Sequence, residues 1–260
     1  MDFTMNYSEL KEFLDEKVDK YNQPDFIELD PLQFPHRFSK KQDIEIAGFL
    51  VSTIAWGRRE MIIKSGNQML NALDNDPYNF IINSEDSDLL SIPEIKHRTF
   101  NRADFIFFIR ALKNIYTSYA DMETVFYQGI QQDDVNLTNA ISNFRNAFFS
   151  NGQEHHAQKH VSNPIKGSAS KRLCMFLRWM VRNDDRNVDL GIWNKISPSV
   201  LSCPLDVHTA NVGRKLNFIS RKQNDWKSVV ELDTHLRKLD PIDPVKYDFA
   251  LFSLGAIERW

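Results

Sequence analysis

A glycine-containing turn that ends in a lysine is the segment of this sequence best suited to chemistry. Residues 165–171 read Ile-Lys-Gly-Ser-Ala-Ser-Lys, and an apolar stretch, LCMFLRWMV, follows at 173–181. A tight turn that leads into a helix leaves unpaired backbone N–H groups at the helix N-terminus, where the helix dipole favours an anion such as a DNA phosphate. The turn is therefore a candidate anion-binding site.

A second candidate is an aspartate at the start of another helical pattern. Asp206 lies in PLDVHTANVGRKLNF at 204–218, where it follows a proline-bounded loop. This position suits an N-cap, whose carboxylate accepts hydrogen bonds from the next backbone N–H groups. A carboxylate can also accept a proton or stabilise a positive charge that develops in a transition state.

The two segments resemble the helix-hairpin-helix (HhH-GPD) superfamily of DNA glycosylases. The hairpin of that family reads approximately Leu-Pro-Gly-Val-Gly-Xaa-Lys, so Gly167 matches its first glycine and Lys171 the catalytic lysine of the bifunctional members. Residues 204–218 resemble the family's Val-Asp-Thr-His-Val segment, with Asp206 as its aspartate. The apolar helical pattern at 226–241 and YDFALFSLG at 247–255 resemble the region that follows this aspartate in endonuclease III.

The resemblance implies an all-α, two-lobed fold with a helix-hairpin-helix near residues 160–182. It also implies a base-excision repair glycosylase with abasic-site (AP) lyase activity, in which Lys171 and Asp206 are catalytic. An amine that attacks the sugar must be neutral, and burial and neighbouring cations favour the neutral form. Asp206 would stabilise the cationic sugar. The expected DNA contacts are Lys166, Gly167, Ser168, Ala169, Ser170, Arg172, Trp56, Arg58, Arg59, His208 and Arg214.

The expected partner is double-stranded DNA that contains a damaged or abasic site, with no obligatory protein partner. The separation of 35 residues from Lys171 to Asp206 resembles the archaeal branch specific for 8-oxoguanine, so an oxidised purine is the first candidate base. Lys166 replaces the hairpin proline of the family and Ala169 its second glycine. This altered hairpin leaves two alternatives open: a DNA-binding protein without catalysis, and an RNA- or nucleotide-processing protein on the same scaffold.

No cofactor is expected. The four cysteines that hold the iron–sulfur cluster of endonuclease III are missing, and Cys174 and Cys203 are interpreted as core residues. His155, His156 and His160 have an i,i+4 spacing compatible with a metal, but their loop offers no further clustered ligand, so no metal site is expected. Asp233-Thr234-His235 matches the family tripeptide closely, yet it lies inside an amphipathic helical pattern and is interpreted as structural.

Helical periodicity predicts the elements that position these residues. The resemblance implies an HhH-GPD-like domain at 41–260, with a first lobe at 41–150 and the hairpin and catalytic-aspartate lobe at 151–260, and an N-terminal helical extension is expected at 1–40. Asn6 and Glu9 have the spacing of a capping box. Segment 42–56 is apolar on nearly all sides and should form a buried helix that ends at Gly57, whereas 150–170 should be a loop. Aromatic stripes at 103–118, 121–131 and 136–149 are interpreted as core packing.

The composition is that of a globular chain. No apolar stretch reaches the roughly 18 residues that a membrane span requires, and no secretory signal is recognisable, so we expect a cytoplasmic protein. The net charge of −3 argues mildly against a nucleic-acid partner. Residues 155–183, however, contain no Asp or Glu and are expected to present a basic face, formed by Lys159, Lys166, Lys171, Arg172, Arg178 and Arg182.

Overall fold

The computed structural model describes residues 5–28, 30–150 and 155–260. The regular secondary structure of these residues is helical apart from one short hairpin, in which β1 (Lys96–His97) pairs antiparallel with β2 (Phe100–Asn101), and an isolated bridge between Ser168 and Asp225; this confirms the predicted all-α class. The α-helices, in chain order, are α1 (Tyr7–Tyr21), α2 (Asp25–Glu28), α3 (Lys41–Thr53), α4 (Arg59–Asn71), α5 (Pro77–Asn83), α6 (Asp86–Ser91), α7 (Arg102–Ser118), α8 (Met122–Tyr127), α9 (Thr138–Phe148), α10 (His155–Gln158), α11 (Lys171–Val181), α12 (Val207–Lys215), α13 (Trp226–Leu239) and α14 (Tyr247–Ala256). Short 3-10 turns lie at Pro31–Gln33, Pro35–Arg37, Pro164–Lys166, Pro198–Val200 and Pro244–Lys246. Among the described residues, every helix is too short or too polar to traverse a bilayer.

The described residues form two compact units. The terminal unit contains α1 and α11–α14, and the central unit contains α3–α10, from Ile27–Asp134 and Thr138–Asn163. These boundaries differ from the predicted ones. The first helix is not a separate extension, because Lys17 Nζ lies 2.9 Å from Glu258 and α1 packs along α14. The described residues between 155 and 163 belong with the first lobe rather than with the hairpin.

The predicted capping box at the start of α1 is confirmed. The side chain of Asn6 accepts hydrogen bonds from the N–H groups of Ser8 (2.9 Å) and Glu9 (3.1 Å). In return, the carboxylate of Glu9 accepts the backbone N–H of Asn6 at 2.9 Å. Two N–H groups at the helix terminus are thereby paired locally, as a sequence spacing of three residues allows.

The core of the central unit is built around α3 and phenylalanine side chains. Every residue from Asp43 to Thr53 is buried, as the apolar pattern predicted, but the helix ends at Thr53, four residues before Gly57. The positive φ of Gly57 (+104°) instead serves the turn into α4. Phe49 contacts the rings of Phe108, Phe144 and Phe148 at centroid distances of 5.2–5.6 Å. The interpretation of the aromatic stripes as packing is therefore confirmed for these rings.

The core of the terminal unit contains a network of buried ion pairs. Arg178 on α11 pairs with Asp248 on α14 and donates to Asp189 at 3.1 Å. One turn later, Arg182 pairs with Asp189, Asp184 and Asp243 at 2.8–3.1 Å. The two arginines are only 4% and 2% exposed. The predicted basic face is therefore wrong for these two residues, because their charges are neutralised inside the unit.

Replacing Arg178 by methionine should strongly destabilise the protein. The substitution leaves the buried carboxylate of Asp248 without its cation, and breaking a buried pair in this way typically costs about 3–5 kcal/mol. Arg110→Met provides a matched control, since Arg110 pairs with Asp86 on the surface, where a salt bridge contributes less than about 1 kcal/mol. Urea unfolding should separate the two variants; similar losses in both would contradict the role of the buried network.

Candidate functional site

The turn before α11 is held by backbone hydrogen bonds. Gly167 has φ +87°, and a Cβ built on it would meet no atom within 4 Å, so the backbone conformation rather than lack of space favours glycine. Its N–H donates to Pro164 O at 2.8 Å, and its carbonyl accepts the N–H of Trp226 at 3.0 Å. The turn is thereby attached to the first residue of α13.

The second left-handed residue of the turn is Ser170, with φ +49°. Ala169 does not have a positive φ, so alanine at this position requires no strained backbone. Ser170 bonds back to Ser168 through its N–H and its hydroxyl, both at 3.2 Å, and no side chain caps α11. In a helix-hairpin-helix a full helix precedes the turn. Here the described residues before the turn form only the four-residue α10 and the 3-10 turn Pro164–Lys166. Helix α10 also corrects the prediction that all of 150–170 is a loop.

Lys171 is the first residue of α11 and is half-buried. Within the described part of the chain, its amine makes no hydrogen bond or salt bridge. Arg172 follows it, and burial lowers the pKa of the Arg172 guanidinium to about 10. Lys166, Gly167 and Ser168 are exposed at the start of the turn. The turn thus presents an unengaged amine next to exposed backbone and cationic side chains.

Asp206 is the N-cap of α12, as predicted. Its Oδ1 accepts the N–H of Thr209 at 2.8 Å, while Oδ2 has no hydrogen-bond partner among the described residues. The helix that it caps packs closely on α14, where a Cβ on Gly255 would lie 2.9 Å from the Cβ and the carbonyl oxygen of His208. Glycine at 255 therefore lets the two helices approach. One carboxylate oxygen remains available for chemistry.

The charges of the two predicted catalytic residues both act on Asp248, which sequence reasoning did not find. Burial raises the pKa of its carboxyl to about 6. The positive charge of Arg178 lowers this pKa, the negative charge of Asp206 raises it and the positive charge of Lys171 lowers it. Lys171 and Asp206 thus act on the same buried group. The thiol of Cys203 also donates to Asp248, at 3.7 Å. An acidic residue inside the otherwise apolar YDFALFSLG was the available sequence signal.

The remaining predicted DNA contacts fall into two groups. In the terminal unit, His208 is exposed beside Phe252, whereas the guanidinium of Arg214 donates to Arg221 O, Lys222 O and Asn224 and so holds the following loop. Trp56, Arg58 and Arg59 belong to the central unit. The two arginines are exposed, but the Trp56 ring packs edge-on to His97 and stacks on His160. Arg214 and Trp56 therefore have structural roles in their own units, whether or not they contact DNA.

A family model described as "Protein of unknown function (DUF2400)" matches residues 30–257. The chain belongs to the DUF2400 family. The matched region contains Lys171, Asp206 and Asp248 of this DUF2400 protein, together with the whole of α3–α14. No curated protein and no solved structure matches the sequence.

Asp233, the aspartate of the second tripeptide, has a structural position in the DUF2400 protein. It is buried within α13, and its Oδ1 accepts the backbone N–H of Cys203 at 2.9 Å. This bond fixes the loop that leads to Asp206. Cys174 and Cys203 are buried too, as predicted, and burial raises the pKa of both thiols well above the usual range.

The stability of the DUF2400 protein should carry a pH-dependent contribution from Asp233. Burial raises the pKa of this carboxyl from 3.8 to about 6, so the folded state holds its proton more tightly than the unfolded state. The resulting stabilisation is complete below about pH 4 and is lost as the pH rises through 6. Relative to Asp233→Asn, the wild type should therefore lose up to about 3 kcal/mol between pH 4 and pH 7.

Unfolding free energies of both proteins across this pH range provide the measurement. Asp185→Asn, at an exposed position, is the matched control and should show a difference from wild type that does not change with pH. A constant difference for Asp233→Asn as well would refute the assignment.

Proposed function

We propose that this DUF2400 protein is a base-excision DNA glycosylase with AP lyase activity, in which Lys171 is the nucleophile and Asp206 the assisting carboxylate. One observation carries the proposal. Lys171 begins α11, Asp206 caps α12, and the charges of both act on the buried carboxyl of Asp248. An amine and a carboxylate in one electrostatic environment are the two groups that this chemistry requires.

The proposed reaction starts with a base that has been taken out of the helical stack, since C1′ is inaccessible inside duplex DNA. After the Lys171 ammonium has given up a proton to solvent, the lone pair of its amine attacks C1′, and the electron pair of the bond from C1′ to the base leaves with the base. Asp206 stabilises the positive charge on the sugar and accepts the proton of the attacking nitrogen. Opening of the sugar ring gives a Schiff base, and loss of a C2′ proton then expels the 3′-phosphate.

The turn at 166–170 is the proposed binding site for the phosphate backbone of DNA. Helix α11 begins without a capping side chain, and Lys166, Lys171 and Arg172 supply positive charge around its first turn. A phosphate there would receive backbone N–H groups together with cations. In the central unit, the exposed Arg58 and Arg59 are proposed as further phosphate contacts. An oxidised purine as the target base rests on the sequence resemblance alone.

Trapping of the Schiff base tests the nucleophile directly. Incubation with duplexes that contain an abasic site or an oxidised guanine, in the presence of borohydride, should reduce the imine to a stable protein–DNA adduct. Lys171→Gln should abolish the adduct because it removes the attacking amine. Lys166→Gln is the matched control in the same turn; it should weaken DNA binding but still form the adduct at saturating protein.

The outcomes separate the alternatives. Adduct formation by Lys171→Gln would exclude Lys171 as the nucleophile. If no lesion gives an adduct although duplex DNA is bound, a non-catalytic DNA-binding protein is the better description. If duplex DNA is not bound even at low salt, where phosphate contacts are strongest, an RNA- or nucleotide-processing role takes precedence.

Asp206→Asn should separate catalysis from capping. Asparagine caps helices as well as aspartate does, so the melting temperature should change little, whereas loss of the charge should slow base release by roughly 100-fold or more. Single-turnover kinetics on a lesion duplex measure the rate. Asp121→Asn, at the N-cap of α8, is the matched control and should leave the rate unchanged. Equal rates for wild type and Asp206→Asn would limit Asp206 to its capping role.

A further inference from the structure

A carboxylate and two imidazoles converge in the central unit, whereas Lys171 and Asp206 belong to the terminal unit. Asp104, at the third position of α7, lies near His156 on α10 and near His160 two residues after that helix. One ligand atom from each residue lies within 4.8 Å of the other two. We propose that Asp104, His156 and His160 form a binding site for a first-row divalent metal ion, with Zn²⁺ as the reference ion.

The distances fit ligands that share one ion. His156 Nδ1 lies 2.5 Å from Asp104 Oδ1, and His160 Nε2 lies 3.2 Å from Asp104 Oδ2. Two ligands that each lie about 2.0–2.2 Å from a zinc ion are separated by roughly 3 to 3.5 Å. The separation between His160 and Asp104 lies within this range, whereas that between His156 and Asp104 is shorter, so the exposed His156 side chain must move outwards slightly to admit the ion.

Burial of the carboxylate explains why a cation would be favoured there. The side chain of Asp104 is only 2% exposed and that of His160 only 1%. Asp104 Oδ2 also accepts a hydrogen bond from the backbone N–H of Asn101 at 2.9 Å. This bond is part of the capping box of α7 and fixes the orientation of the carboxylate. Hydrogen bonds from Asn101, His156 and His160 satisfy this buried carboxylate, and a divalent ion between it and the two imidazoles would add a full opposite charge in place of two of these bonds.

The surroundings of His160 hold its ring in place. Trp56 stacks on it at 5.9 Å with an interplanar angle of 16°, and Phe100 meets it edge-on at 5.0 Å. These rings restrict the imidazole to one orientation and lower the local dielectric on that side, which strengthens the attraction between the ion and its ligands. His156, by contrast, is 53% exposed and provides access from solvent.

Lys159 determines which nitrogen of His156 carries the proton. Its ammonium lies 2.9 Å from His156 Nε2 and can act only as a donor, so His156 carries its proton on Nδ1 and donates it to Asp104. Metal binding through Nδ1 requires that this proton move to Nε2 and that Lys159 turn away. Lys159 is therefore a competitor of the metal.

The donor set narrows the class of ion. Two imidazole nitrogens and one carboxylate oxygen suit Zn²⁺, Fe²⁺, Co²⁺ or Mn²⁺, whereas Mg²⁺ and Ca²⁺ favour oxygen ligands. Three protein ligands also leave at least one coordination position for water or for a ligand from solution.

Titration of the metal-free full-length protein with Co²⁺ tests the site, since Co²⁺ reports its ligands through visible absorption bands. Wild type should bind one ion per chain with bands typical of nitrogen and oxygen ligands, and Zn²⁺ should displace it. His156→Gln, at an exposed position that should not affect folding, should lower the affinity by roughly 100-fold or more, because loss of a group that merely orients a ligand already costs 10–100-fold. Lys159→Ala should raise the affinity several-fold, because it removes the competing cation.

The controls make the result decisive. His36→Gln, at a half-buried histidine of the same unit, should bind Co²⁺ as wild type does. Asp104→Asn retains an oxygen for the capping box and should still lose most of the affinity. If wild type gives no bands, or if His156→Gln and wild type bind equally, the three residues form only a hydrogen-bonded carboxylate–imidazole cluster and the proposal is overturned.

Discussion

The terminal unit depends on the compensation of buried charge between α11 and α14. Arg178 and Arg182 both lie inside it, where the removal of an ion from water costs several kcal/mol. The attraction between each arginine and its carboxylates offsets this cost only if the carboxylates are held in place. Asp189, Asp243 and Asp248 therefore fix three separate segments of the chain against one face of α11. The direction of α11, and with it the place of Lys171, follows from this requirement.

The same network determines the electrostatics of the proposed site. Asp248 pairs with Arg178, and the charges of Lys171 and Asp206 also act on it, so its carboxyl couples the structural ion pairs to the proposed catalytic pair. With a pKa of about 6, the group is mainly ionised at pH 7 and protonates in mildly acidic solution. Any change in the ionisation of Lys171 or Asp206 must therefore be felt by a residue that also holds α11 to α14.

Sequence reasoning succeeded where structure is determined locally. The capping box of Asn6 and Glu9 and the N-cap role of Asp206 involve groups only three residues apart, so spacing alone specifies them. It failed where the partner is distant in sequence. The six cations of 155–183 suggested a basic face, but the acids that bury Arg178 and Arg182 come from 184–248. Likewise, the hydrogen bond between His156 and Asp104 joins residues 52 positions apart, so the histidine loop considered alone gave no sign of it.

The altered hairpin is the point at which sequence resemblance and structure can be compared most closely. Glycine is favoured where the backbone is left-handed, and in this turn the left-handed residues are Gly167 and Ser170, not Ala169. Alanine at 169 therefore costs the turn no backbone strain, and the strain of a left-handed serine is offset by the two hydrogen bonds that Ser170 makes to Ser168. Because Ser170 immediately precedes Lys171, this conformation also sets the direction in which the lysine leaves the turn. Ala169, which replaces the second glycine of the glycosylase hairpin, therefore does not determine the backbone geometry at Lys171. Ser170 determines it, and the hairpin pattern did not indicate that this residue is important.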